Sequence, residues 1–127
     1  MKKEYVVFQG KEFTIEWYYN SSGKSQAKEY FDALDRVRKL DAFELFKVMA
    51  NIGEIKNIQK FRHEGDKIYA FKPKPDRFLC FFFSGKKIII TNAFVKKQNK
   101  LPPNEKKKAQ IYQRDYESRL KEGKYYD

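Results

Sequence analysis

The stretch 67–97, KIYAFKPKPDRFLCFFFSGKKIIITNAFVKK, constrains the fold more than any other part of the chain. Strand-forming residues alternate there with Pro, Gly, Ser and Asp breakers, which predicts strands over 67–72, 77–83 and 87–95. Phe78, Cys80 and Phe82 alternate with Leu79, Phe81 and Phe83. Ile88 and Ile90 alternate in the same way with Ile89 and Thr91. The second and third strands are therefore apolar on both faces, and such strands must be covered on both. Cations bracket them: Lys72, Lys74, Arg77, Lys86, Lys87, Lys96 and Lys97. The pattern is an apolar sheet that holds positive charge at fixed spacing.

The helices to cover that sheet lie on either side of it in sequence. Ser25 suits an N-cap, and Ala27, Tyr30, Phe31, Leu34 and Val37 follow at helical spacing. A second helix is expected to begin near Asp41, with Glu44 completing a capping-box-like pair. Its stripe is Phe43, Phe46, Met49 and Ala50, and Gly53 is the stop. Pro103 suits a first helical position, and 104–120 carries Ala109, Tyr112, Tyr116 and Leu120 on one face. Short strands are expected over 5–8 and 13–18, the second with one apolar face. The expected fold is α+β: a twisted antiparallel sheet packed against an N-terminal helical hairpin (25–52), with a C-terminal helix. With 127 residues the chain reads as one domain, its tail from 121 to 127 flexible.

The charge narrows the class of partner. Lys and Arg number 28 against 17 Asp and Glu, a formal charge of +11, which favours polyanionic partners: RNA, DNA, an anionic membrane or an acidic protein. The lone Cys80 stands among phenylalanines without a histidine nearby, so it reads as structural, and the absence of any internal disulfide fits the cytoplasm. No signal peptide and no membrane-spanning run is read. His63, the only histidine, has no second ligand at metal spacing, so neither a metal nor a cofactor is expected. There is no phosphate-cradling glycine loop and no nucleophile elbow. What remains is a cluster of cations with tyrosines nearby. Such a cluster either holds a nucleic-acid backbone, the commoner role, or cleaves RNA without a metal. In the second case the 2′-hydroxyl attacks, cations stabilise the phosphorane, and crowded lysines of reduced basicity move protons.

Three pieces of the chain resemble RelE/ParE-superfamily toxins, in particular their HigB-like, phage-derived branch. They are FTIEWYYNSSGKSQAKEYFDAL (13–34), KIYAFKPKPDRFLCFFF (67–83) and NAFVKKQNKLPPNEKKKA (92–109), in that order. Against this pattern the first dozen residues (1–12) read as an N-terminal addition. The resemblance implies a RelE-like fold and the toxin of a type II toxin–antitoxin pair, an mRNA interferase that cleaves messenger RNA on the ribosome without a metal. It also implies a small cognate antitoxin, often of the helix-turn-helix kind. By position Arg77 matches the arginine that opens the central strand, and Lys96 and Lys97 match the basic pair after the last one. Lys72 falls where the preceding strand commonly carries a cation. The expected catalytic set is thus Arg77 as clamp, and Lys97 with Lys72 or Lys96 for proton transfer and charge. Lys74, Lys86, Lys87, Lys100, Lys107, Tyr112 and Tyr116 are the candidates for RNA contact, although core packing is the commoner role for the two tyrosines. The alternative is a non-enzymatic member that binds nucleic acid, DNA gyrase or another host protein. Where the branch often has Glu-Leu-Arg, this chain has Ala70-Phe71-Lys72, and it has no histidine near its C-terminal segment.

Overall fold

The computed structural model describes residues 3–126. Six strands form one sheet in the order β1-β2-β6-β5-β4-β3: β1 (Val6–Gln9), β2 (Thr14–Trp17), β3 (Phe61–His63), β4 (Tyr69–Phe71), β5 (Asp76–Phe83) and β6 (Lys87–Val95). Three helices accompany them: α1 (Gln26–Asp32), α2 (Arg36–Ile52) and α3 (Pro103–Lys121). Every strand pair is antiparallel except β2 and β6, which run parallel. The fold is α+β, with a six-stranded sheet, an N-terminal helix pair and a C-terminal helix, as the RelE-like expectation requires.

The two-sided apolar strands are central, and both of their faces are covered. On one face Trp17, Phe78, Cys80, Ile88 and Ile90 pack against Ala27, Phe46, Met49 and Ala50 of α1 and α2. On the other, Leu79, Phe81 and Ile89 pack against Ala109 and Tyr116 of α3 and against Tyr125. Phe46, Phe71, Phe78 and Phe81 are fully buried, each worth about 1.5–3 kcal/mol of transfer free energy.

The structure departs from the sequence reading at several points. The break between the helices falls at 33–35, not near Asp41: the Asp35 carboxylate accepts from the Arg38 N–H at 2.9 Å and caps α2 nearly two turns early. The new helix starts in a new phase, which leaves Val37 exposed rather than in line with Ala27 and Tyr30. β2 is not one-sided. Glu16 and Tyr18 are buried beneath the C-terminal segment, and Glu16 accepts from the Tyr126 hydroxyl at 2.6 Å. The last described residues pack back onto the sheet. Tyr125 is buried, and its hydroxyl accepts the Tyr19 N–H at 2.9 Å. At the other end β1 pairs with β2 and forms an edge of the sheet. Residues 1, 2 and 127, parts of the two terminal segments read from sequence, lie outside the described residues.

Candidate active site

Asp76 positions the cations. It opens β5, is buried, and accepts a bidentate pair from the Arg38 guanidinium and a 2.5 Å hydrogen bond from the Tyr30 hydroxyl. One carboxylate thus ties α1 and α2 to the first residue of the central strand. The Arg77 side chain donates to the Asp76 carbonyl at 2.9 Å and pairs across the sheet with Phe94. Lys96, just past β6, donates its N–H to the Pro75 carbonyl at 2.7 Å. The base of Arg77 is held by a rigid strand and that of Lys96 by a turn contact.

Around Arg77 opens a cleft of about 370 Å³. Lys72, Lys96, Lys97 and Lys100 line it, so all four proposed catalytic residues and one of the proposed contact residues meet there. Antiparallel pairing explains the convergence: Asp76 lies opposite Val95, so the start of β5 and the end of β6 share one edge. The alternation that would send Lys96 and Lys97 to opposite faces does not operate, because β6 ends at Val95 and both side chains leave from irregular backbone.

Three further charged residues of the cleft were not singled out from sequence: Arg62, Glu64 and Lys106. Arg62 and Glu64 come from β3 and the turn after it, a strand too short to show a period. Lys106 bonds Asp66 of that turn at 2.8 Å, linking α3 to the β3–β4 hairpin. Among the described residues, Glu64 is the only acidic side chain that lines the cleft.

The electrostatics suit proton transfer. Burial, and then the charge of Arg77, hold the Lys72 ammonium below its ordinary pKa; Arg62 and Lys96 add to this and Glu64 opposes it. Lys72 is anchored as it donates to the Ile58 carbonyl at 3.0 Å. Burial also lowers the Arg77 pKa, against the pull of Glu64 and Asp76. Among the described residues no group of three His, Cys, Asp or Glu stands where it could hold a metal ion, and no helix is long and apolar enough to cross a membrane.

The other candidates lie elsewhere. Lys86 and Lys87 sit at the far end of the β5–β6 hairpin from Arg77, and Lys87 is engaged by Glu16 at 3.2 Å and by the Tyr126 hydroxyl at 3.0 Å. They are not part of the cleft, because a hairpin separates the two ends of its strands. Lys74 lines a neighbouring hollow with Lys60, Asp41 and Glu44. Lys107 is exposed on α3 outside the cleft. Tyr116 is fully buried against Phe81 and Phe83, so it has no ring face free for a base. Tyr112 is half-buried and stacks on Tyr18 with ring centroids 4.8 Å apart.

No curated protein matches the chain. A family described as "Phage derived protein Gp49-like (DUF891)" matches residues 21–114, which include α1, α2, β3 to β6 and all the cations of the cleft. With well over half of its length matched in one run, this chain belongs to the Gp49-like family of phage-derived proteins, a toxin-like family related to RelE and HigB.

Proposed function

We propose that this protein is the toxin of a toxin–antitoxin pair and that it cleaves messenger RNA on the ribosome, using side chains alone. The observation that carries this reading is the meeting of Arg77, Lys72, Lys96 and Lys97 with one carboxylate, Glu64, in a single cleft. A binder needs only a broad cationic stripe. A cleft that also contains a carboxylate and a lysine of lowered basicity has the parts of an acid–base site.

In this mechanism Arg77 grips the scissile phosphate, its fork matched to two phosphate oxygens. Glu64 takes the proton of the 2′-hydroxyl. The 2′-oxygen forms a bond to phosphorus, and negative charge builds on the equatorial oxygens, where Arg77, Lys96 and Lys97 stabilise it. The bond from phosphorus to the 5′-oxygen breaks, and the Lys72 ammonium gives that oxygen its proton. The products are a 2′,3′-cyclic phosphate and a 5′-hydroxyl. Of the basic pair, Lys96 is the one whose charge bears on the Lys72 proton donor. Toxin-like family membership implies an antitoxin partner, and an acidic segment laid across this cleft would silence it.

The test is expression of wild type and Arg77→Ala in cells, with growth and messenger RNA integrity followed together. Arg77→Ala is expected to abolish arrest while the purified variant keeps its fold, because losing one donor to a developing oxyanion costs about a hundredfold or more in rate. Arrest without any cut message would favour a non-nuclease toxin, and undiminished cutting by Arg77→Ala would overturn the assignment.

A further inference from the structure

A second hollow, of about 580 Å³, lies on the other side of Phe94 from the cationic cleft. Phe94, Lys97, Gln98 and Pro102 line both, so the two are direct neighbours. The topology creates the hollow. β2 pairs with β6 only as far as Ile90, and beyond that point no strand covers this edge of β6 among the described residues. α1 closes the gap instead. The Gln26 side chain accepts the Ala93 N–H at 2.7 Å and donates to the Ala93 carbonyl at 2.8 Å, as a strand would. The Tyr30 ring in the same wall is held through its hydroxyl by Asp76. The walls are therefore fixed, and apolar residues, Tyr30, Phe94, Val95 and Pro102 among them, share them about equally with polar ones, Lys97 and Glu105 included. Val95 is 38% exposed there, a large apolar side chain facing open space. Besides Gln26, two further primary amides line the hollow, those of Gln98 and Asn104. Neither has a hydrogen-bond partner among the described residues.

We infer that this hollow seats the nucleobase next to the scissile phosphate. Apolar and aromatic walls receive the face of a base, and free amides, which both donate and accept, meet its edge. A phosphate held at Arg77 and a base carried over the edge of β6 past Phe94 are parts of one nucleotide. The cationic cleft alone holds any polyanion. The hollow is what distinguishes a polynucleotide with bases from a bare phosphate chain, and Gln98 and Asn104 are its positions for base preference. This rests on the RNA reading of the cleft, and the experiment separates the two.

Binding of the purified protein is measured by fluorescence anisotropy with a short single-stranded oligoribonucleotide and with an abasic oligomer of the same length. Wild type is expected to prefer the base-bearing strand by about tenfold or more, since stacking of one base on an aromatic wall is of that order. Val95→Ser and Asn104→Ala are expected to shrink the preference severalfold while affinity for the abasic strand stays within about twofold. Arg77→Ala is expected to weaken both strands alike. Equal wild-type affinity for the two strands overturns the base seat and leaves the phosphate cleft standing. A preference that persists unchanged in both variants overturns its location in this hollow. No measurable binding of either strand overturns the RNA reading and the base seat together.

Discussion

At the scale of single residues, environment decides which side chains are chemically active. Cys80 is fully buried, and desolvation pushes its thiol far above the usual range. It is expected to resist thiol reagents in the native protein and to react at the normal rate once the chain is unfolded. Rapid native-state labelling, followed by mass spectrometry, would contradict this. Lys72 is the opposite case, a lysine whose ammonium is held below its ordinary value of 10.5 by burial and by Arg77. As general acid it works only while protonated, so on the alkaline side the rate should fall as pH rises through its pKa. Because that pKa is depressed, the fall should begin below the ordinary lysine range. Lys72→Arg keeps the charge but does not titrate there. Its background-corrected pH–rate profile is expected to be slower and to lack the alkaline fall. An alkaline fall identical to that of wild type would remove Lys72 from the acid's role.

At the scale of elements, the sheet and α2 meet through a contact that admits no side chain. Gly10, in the β1–β2 connection, stands against the backbone of Ala50: a Cβ there would come within 2.4 Å of the Ala50 carbonyl carbon and oxygen. The same carbonyl accepts the N–H groups of Glu12 at 2.8 Å and Phe13 at 2.9 Å. This close approach seats the end of α2 on the first hairpin, and Gly53, at φ 90°, then ends the helix in the left-handed region. Gly10→Ala must push α2 away from the sheet. A loss of about 3 kcal/mol in denaturant unfolding is expected, at the upper end for overpacking. A loss below about 0.5 kcal/mol would mean that the hairpin is free to shift.

At the scale of the whole molecule, the charge of +11 and the gathering of cations at one sheet edge determine how binding responds to salt. If the cleft and its rim neutralise about four phosphates of a single strand, log affinity should fall with log salt at a slope of roughly −3. A titration between low and physiological salt measures this directly, and a flat response would remove the electrostatic basis of recognition.

Much of the fold was legible in the sequence because its strongest signals are local. Alternation in 78–83 and 88–91 demands a sheet covered on both faces, and the stripes of 43–50 and 109–120 supply the covers. The cations Lys72, Arg77, Lys96 and Lys97 could be named from the resemblance, because they flank strands whose ends an antiparallel hairpin must bring together. Other features have no local signature. Arg62 and Glu64 enter the cleft through a three-residue edge strand, and Lys106 enters it from α3 across a gap in sequence. The exclusion of Lys86 and Lys87 depends on which end of the hairpin faces the cleft. The burial of Tyr116 and Tyr125 depends on which helix closes the second face. Periodicity reports what a residue must hide from water. Only the packing of distant segments determines which charges are left facing one another, and from that the cleft takes its chemistry.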